Sequence, residues 1–242
     1  MCSVSWEWNE SPRDKEPCFS LWFNRDESIE RSAAIPPSTY LENKVSCLMP
    51  IDPDANGTWM VANEFGLVVC LLNLYEAQGG VSSKTNSRGL LVRSLASCEN
   101  LTSARGKLEE LLQSEYRAFS LVVFDVKSRK ELSLQWNGKK LKNLDLETSF
   151  FSSSSWNTEE VIKMRQNKYI SEVIDGEMKH HDFHRLEWQG EERSSPFMTR
   201  EVTRTVSVTA VHVSHQDLKM NYFERLSSTE HKAVIPRHLV NK

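Results

Sequence analysis

Apolar and polar residues alternate along several short segments of the chain, a two-residue period typical of β-strands with one buried face. Val4 to Trp8 shows this alternation, and an apolar run from Phe19 to Phe23 follows a turn at Ser11 to Asp14. These two strands predict a hairpin. If its strands are antiparallel and in register, Asn24-Arg25-Asp26 leaves the sheet close to Cys2.

A second hairpin is predicted from Thr58 to Leu72, where two apolar runs flank Asn63-Glu64-Phe65-Gly66. Its second arm, Leu67 to Leu72, is almost continuously apolar, as in a strand covered on both faces. Asn73 lies where this buried strand ends. Further strands are predicted at Phe119 to Val126, Glu131 to Trp136, Lys139 to Leu144, Thr203 to Val213 and Met220 to Leu226.

Apolar residues at helical spacing predict two helices in the middle of the chain and one later. In the third, Asn157 followed by Glu160 has the form of a capping box. Beyond Ser227 there is little periodicity, so we expect 227–242 to be a loosely held tail of a single domain over residues 1–242. The helices are predicted at Ser87 to Ala96, Ser103 to Arg117 and Asn157 to about Gly176. Strands, then helices, then more strands predict an α+β fold of two packed sheets covered by helices.

Composition places the 242-residue chain among soluble globular proteins, since 39% of its residues are hydrophobic and 26% are charged. The formal net charge of −3 gives no general attraction to nucleic acid or to an anionic membrane. The longest apolar run, Leu67 to Leu72, is far shorter than the roughly 20 residues that cross a bilayer. We therefore expect no nucleic-acid partner and no membrane span, and no feature favours a particular oligomeric state.

Charged residues interrupt the apolar positions among the first thirty residues, which argues against a signal peptide. The five cysteines are odd in number and show no short paired spacing, so neither a disulfide framework nor a zinc knot is indicated. Reduced thiols and a cytoplasmic location are the expectation.

His180, His181 and His184 are close enough in sequence to raise a metal-site hypothesis. His180 and His184 would share one face of a helix, but no cysteine or nearby carboxylate completes a tetrahedral set, and we expect a solvated segment. Gly79-Gly80 lacks the flanking strand and helix of a phosphate-binding loop. The sequence therefore predicts no metal site and no cofactor.

Cys2 follows the initiator Met1 directly. If an aminopeptidase removes Met1, Cys2 carries a thiol and a free α-amino group on one carbon. An α-amine titrates near pH ~7.7 to 8 and a thiol near ~8.5, so the two can exchange a proton at neutral pH without a histidine. A nucleophile with its own base is therefore predicted at position 2.

Nine motifs occur in an order that resembles one family. The chain begins Met1-Cys2 and continues with the tetrapeptide Asn24-Arg25-Asp26-Glu27, Gly57-Thr58-Trp59, Asn63-Glu64-Phe65-Gly66-Leu67, Leu71-Leu72-Asn73, Ser87-Arg88-Gly89, Ser153-Ser154-Ser155, Phe183-His184-Arg185 and Thr205-Val206-Ser207. They resemble the NRDE family, also called the transport-and-Golgi-organisation family. The resemblance implies a branch of the N-terminal-nucleophile hydrolases, with a four-layer αββα sandwich of two mainly antiparallel sheets.

The resemblance also implies catalytic roles. Cys2 is the expected nucleophile, and Asp26 would bind its α-ammonium group. Arg25 would favour the thiolate or bind a substrate carboxylate. Asn73 would donate its amide to an oxyanion, a contact worth ~2.7 to 4 kcal/mol in other enzymes.

The residues expected to bind substrate are Arg25, Asn24, Arg88 and Arg200. Members of the superfamily carry an arginine near the end of the chain, and Arg200 or Arg204 is closest to that position here. Members of the superfamily carry a second oxyanion asparagine later in the chain, and the closest position here holds the serine run Ser152 to Ser155 with Asn157.

Two kinds of function follow from the resemblance. One is a cysteine amidohydrolase that cleaves a non-peptide amide through a thioester at Cys2, with a small-molecule amide as substrate. The other is a non-enzymatic carrier for haem or a lipid-related ligand, since some relatives are implicated in haem trafficking. A catalytically inactive scaffold is a third alternative.

Overall fold

Two antiparallel sheets pack face to face in the computed structural model, which describes residues 2–10, 16–75 and 86–238. The described strands are β1 (Cys2–Trp8), β2 (Phe19–Ser28), β3 (Ile35–Glu42), β4 (Val45–Ile51), β5 (Met60–Asn63), β6 (Leu67–Asn73), β7 (Phe119–Asp125), β8 (Lys130–Trp136), β9 (Leu141–Asn143), β10 (Phe150–Ser153), β11 (Thr203–Val213), β12 (Asp217–Glu224) and β13 (Thr229–Pro236). The helices are α1 (Arg88–Leu95), α2 (Leu101–Leu111), α3 (Thr158–Tyr169), which continues into a π-helical turn (Ile170–Ile174), and α4 (His180–His184).

The first sheet has the order β10-β1-β2-β11-β12-β13, and the second runs from β3 to β9 in sequence order. The main core lies between them, where Trp6 and Phe19 of the first sheet pack on Phe124 of the second. A second core joins the outer face of the second sheet to α1 and α2, and a smaller one lies beneath α3 and α4. This arrangement confirms the predicted four-layer αββα sandwich.

The predicted amino-terminal hairpin is present, because β1 pairs with β2 and Cys2 lies opposite Arg25. The structure corrects one part of that prediction: the tetrapeptide from Asn24 to Glu27 does not leave the sheet. β2 continues to Ser28 because β11 pairs along its other edge as far as that residue. The predicted turn at Ser11 to Asp14 lies outside the described residues.

Three of the four strands that the sequence pattern missed, β3, β10 and β13, are edge strands, whereas the fourth, β4, lies between β3 and β5. β3 begins with a register shift between Ile35 and Ser38, which accommodates the prolines at 36 and 37. Proline lacks the N–H that an inner strand must donate, so a shifted edge strand suits it. The segment expected to be a loose tail instead forms β13, which pairs with β12 from Thr229 to Pro236. Residues 239–242 of that predicted tail lie outside the described part of the chain.

The three longer helices were predicted, although their ends differ. α2 begins at Leu101 because Asn100 and Ser103 form a reciprocal capping box, and it ends before the predicted Arg117. α3 begins as predicted, but Asn157 is left-handed and its amide donates to Glu160 at 2.5 Å rather than capping the helix. No helix among the described residues is long and apolar enough to cross a membrane.

Two glycine backbones touch where α1 begins. A Cβ added to Gly57 would lie 2.6 Å from the carbonyl carbon of Gly89. We expect Gly57→Ala to lower the free energy of unfolding by about 1–3 kcal/mol, because neither backbone can move aside without repacking. Gly106→Ala is the matched control, since nothing lies within 4 Å of its added Cβ inside α2; it should stabilise the protein by about 0.5–1 kcal/mol. Urea titrations measure both changes, and an unaffected Gly57→Ala variant would contradict the close contact.

Candidate active site

The start of β1, the last part of β2 and the end of β6 meet at one cavity of about 450 Å³. Five residues predicted from the sequence line it: Cys2, Arg25, Asp26, Asn73 and Arg88. Two further arginines and two acids that the sequence analysis did not single out also line it, namely Arg31, Arg117, Glu27 and Asp52. The cavity is therefore strongly charged, with the cysteine at one wall.

Cys2 is held on both sides by strand pairing, opposite Arg25 on β2 and Ser153 on β10. Its backbone nitrogen donates to the Ser153 hydroxyl at 3.1 Å. This nitrogen is the atom that becomes the α-amine if Met1 is removed. The serine run expected to replace an oxyanion asparagine therefore includes a hydroxyl that holds the Cys2 nitrogen.

The Cys2 thiol is protonated at neutral pH. Burial raises its pKa to about 11, and the negative charges of Asp26 and Glu27 raise it further. The backbone N–H of Asp26 hydrogen bonds to the sulfur and acts in the opposite direction. Because the balance favours the thiol, attack by the sulfur requires a base that takes its proton.

Successive residues of β2 face opposite sides of the first sheet. Arg25 faces the second sheet, where its guanidinium lies 4.2 Å from the Trp59 ring centre and 3.4 Å from carboxylate oxygens of Glu27 and Asp52. These contacts occupy Arg25. The raised pKa of the Cys2 thiol does not support the expected role of Arg25 in favouring the thiolate.

Asp26 faces the helical layer, and its carboxylate is fully buried. Thr205 donates to one carboxylate oxygen at 2.7 Å, and a guanidinium nitrogen of Arg165 lies 3.8 Å from the other. Arg165 itself is completely buried. It also donates to the carbonyls of Ser194 and Ser195 and to the hydroxyls of Ser3 and Ser152, at 2.7 to 3.1 Å.

Arg165 is the main residue of this region that the sequence analysis missed. A signal was present, because Arg165 lies four residues after Val161 and four before Tyr169, both of which are buried. That spacing places an arginine on the buried face of α3.

Asn73 ends β6 at the cavity, as predicted, and its amide donates to the Tyr75 hydroxyl at 3.2 Å. Burial raises the pKa of Tyr75 to about 12, so Tyr75 is neutral. An amide at the cavity wall has the chemistry of an oxyanion donor.

The family model described as Transport and Golgi organisation 2 matches residues 1–229. The chain belongs to this family. Comparison with curated proteins gives no significant match.

Solved structures resemble this member of the Transport and Golgi organisation 2 family over nearly their whole length. A cysteine-to-alanine variant of conjugated bile acid hydrolase from Clostridium perfringens has a TM-score of 0.57 at 12% identity, covering 99% of this chain and 97% of that one. An arginine-to-leucine variant of the same enzyme has a TM-score of 0.51, with the same identity and coverage. An N-acylethanolamine-hydrolyzing acid amidase orthologue from Caenorhabditis elegans has a TM-score of 0.49 at 9% identity, covering 88% and 92%. The likeness to the bile acid hydrolase confirms the N-terminal-nucleophile hydrolase-like fold.

Two residues of this Transport and Golgi organisation 2 family member that were expected to bind substrate are not among those that line the cavity. Asn24 is fully buried under the helical layer, where its amide donates to the carbonyls of His184 and Pro196 at 2.9 and 2.7 Å. Arg200 donates to the Arg193 carbonyl at 2.8 Å and lies over the Trp156 ring. Both therefore contact other parts of the protein, and their role in substrate binding stays a prediction.

The histidines of α4 also differ from expectation in this family member, because His180 and His184 are buried rather than solvated. Both contact the Ser5 hydroxyl, His180 through Nδ1 at 2.7 Å and His184 through Nε2 at 2.8 Å. Within the described residues, no group of three or more His, Cys, Asp or Glu side chains has the arrangement of a metal site.

The hydrogen-bond partners of these histidines determine which ring nitrogen carries the proton in each. Both protons of the Asn24 amide are donated to carbonyls, so its oxygen accepts from Nδ1 of His184 at 2.5 Å. Neutral His184 then accepts at Nε2 from the Ser5 hydroxyl, and Ser5 in turn accepts from Nδ1 of His180. Nε2 of His180, 3.7 Å from Glu7, is the nitrogen left to take a proton.

Proposed function

We propose that this protein is a cytoplasmic cysteine amidohydrolase that uses Cys2 after removal of Met1 and cleaves the C–N bond of a non-peptide amide. The observation that carries the proposal is the meeting of Cys2, Asp26 and Asn73 at one cavity. All five cysteines are free thiols, which suits a reducing compartment.

The proposed reaction uses the groups around the cavity in two steps. The Cys2 sulfur attacks the amide carbonyl, its proton passes to the α-amine, and the carbonyl oxygen becomes an oxyanion that Asn73 stabilises. The amine returns the proton to the leaving nitrogen as the C–N bond breaks, which leaves a thioester. Water, deprotonated by the same amine, then cleaves the thioester and regenerates the thiol.

Removal of Met1 is essential to this scheme. While Met1 is attached, the Cys2 nitrogen is part of an amide and cannot accept the thiol proton. After removal, the Ser153 hydroxyl can still bind this nitrogen, and the negative charge of Asp26 favours the ammonium form that appears after proton transfer. We therefore propose that Asp26 stabilises the charged amine.

Thiol-directed amide or β-lactam probes test the proposal on native protein whose intact mass establishes loss of Met1. Cys2 should be labelled in preference to Cys18, Cys47, Cys70 and Cys98, because of the five cysteines it is the one that lines the described cavity. Cys2→Ala should abolish the label, and Asp26→Asn should reduce it strongly.

Cys98→Ala is the matched control, since it removes another buried thiol, between α1 and α2 and outside the cavity lining, and should leave labelling unchanged. A purified chain that keeps Met1 quantitatively, or equal labelling of all five cysteines, would rule out the proposed mechanism.

The carrier alternative concerns the same cavity. An apolar ligand such as a lipid needs a largely apolar pocket, whereas Arg25, Arg88, Glu27 and Asp52 line this one. The charged lining supports the hydrolase over a lipid carrier.

A further inference from the structure

The charges around the cavity are unevenly compensated. On one side, Arg25 and Arg31 form ion pairs with Glu27 and Asp52, the closest being Arg31 to Asp52 at 2.6 Å. On the other side, Arg88 and Arg117 line the same cavity, and neither forms an ion pair with any of the described residues. The cavity therefore has a neutralised side and a cationic side.

The fold brings the two uncompensated guanidinium groups together. Arg88 begins α1, and its Nη1 donates to the Ala118 carbonyl at 2.9 Å, next to Arg117 in the chain. Each positive charge acts on the other, since the charge of Arg117 contributes, after burial, to lowering the pKa of Arg88. An anion that binds between two neighbouring positive charges offsets the electrostatic repulsion between them.

These arginines also lie close to the proposed chemistry. The Ala118 carbonyl that holds Arg88 accepts the backbone N–H of Leu74 at 3.3 Å, and Asn73 pairs with Phe119. The cationic side is thus adjacent to the amide proposed to stabilise the oxyanion. An anionic group bound there would belong to a molecule whose amide can reach Cys2.

We infer that Arg88 and Arg117 form a subsite for an oxyanion group, so that the substrate is an amide carrying a carboxylate, sulfonate or phosphate. This inference rests on the proposed function and names the substrate class of the same site. Arg88 and Arg117 would then bind the anionic group in place of Arg25, whose guanidinium is already paired with Glu27 and Asp52.

Alkylation of Cys2 by iodoacetate and by iodoacetamide tests the subsite, because the two electrophiles differ in one negative charge. Mass spectrometry at pH 9 measures both labelling rates. The rate with iodoacetate divided by the rate with iodoacetamide should fall about tenfold in Arg88→Gln and in Arg117→Gln, as expected for loss of one charge-assisted contact. Arg105→Gln is the control: it removes the same charge from an exposed position on α2 and should leave the ratio unchanged. An unaltered ratio in the two cavity variants, with Cys2 still labelled by iodoacetamide, would overturn the subsite and leave the proposed nucleophile intact.

Calorimetric titration of Cys2→Ala protein with glutarate and with inorganic phosphate provides a test that does not depend on the thiol. We expect binding that weakens about tenfold in the Arg88→Gln background and is unchanged in the Arg105→Gln background. Preference for one anion identifies the oxyanion chemistry. No binding of either anion, or equal binding in both backgrounds, would overturn the inference.

Discussion

Arg165→Met is expected to lower the free energy of unfolding by about 3–5 kcal/mol, which is the range for breaking a buried ion pair by removing one partner. The substitution leaves the Asp26 carboxylate buried without its cation, and the carbonyls of Ser194 and Ser195 without their donor. Chemical denaturation monitored by circular dichroism measures the loss.

Arg105→Met is the control for this change, because Arg105 is exposed and its pair with Glu109 lies on the helix surface. Its effect should stay within about 0.5 kcal/mol. The double-mutant cycle with Asp26→Asn isolates the pair: once the carboxylate charge is gone, Arg165→Met should cost clearly less. Equal costs in the two backgrounds, or a loss below about 1 kcal/mol in the wild-type background, would show that Arg165 does not compensate Asp26.

Acidification from pH 6.5 to pH 4 is expected to destabilise the protein through the histidines of α4. Burial lowers the pKa of His180 to about 4 and places the pKa of His184 well below its usual value. Histidine in the unfolded chain titrates near pH ~6.5, so below that pH the unfolded chain takes up protons that the folded chain does not. These histidines therefore leave the free energy of unfolding unchanged above pH 6.5 and lower it as the pH decreases below that value. At pH 4 the loss from His180 alone is about 3 kcal/mol.

Other charged groups near these histidines also affect the pH dependence. Glu7 lies 3.7 Å from His180, and burial raises its pKa, so its own contribution has the opposite sign. Besides burial, the positive charges of His180, Arg165 and His181 lower the pKa of His184, in that order of size. Urea titrations between pH 7 and pH 4 should show a smaller acid-induced loss of stability for His180→Gln than for wild type, and an unchanged loss for the control His215→Gln, which replaces an exposed histidine outside α4. A parallel pH dependence in all three proteins would contradict this account.

The sequence predicted the elements whose pattern is local. The alternation from Val4 to Trp8 and the apolar run at Leu67 to Leu72 were sufficient for β1 and β6, and the positions of Cys2 and Asn73 at strand ends followed from them. β10 was missed because its serines look solvated in the sequence, although Ser152 and Ser153 are buried against β1.

The candidate site was predictable where a family motif names the residue and unpredictable where a tertiary partner decides its role. Asn24 and Arg25 are adjacent in one motif, yet the former binds carbonyls of the helical layer and the latter binds acids at the second sheet. Arg117 carries no motif and gains significance only because the Ala118 carbonyl holds Arg88 beside it.

The alternation of side chains along β2 constrains the length of the chain as well as its composition. Asn24 and Asp26 reach the helical layer, while Arg25 between them reaches the second sheet. Inserting or deleting one residue just before the tetrapeptide would exchange these two destinations, sending the guanidinium towards Arg165 and both short polar side chains into the apolar interior. A substitution in this segment keeps the direction of every other side chain, whereas an insertion or deletion reverses them all. Substitutions are therefore tolerated more readily here than changes in length.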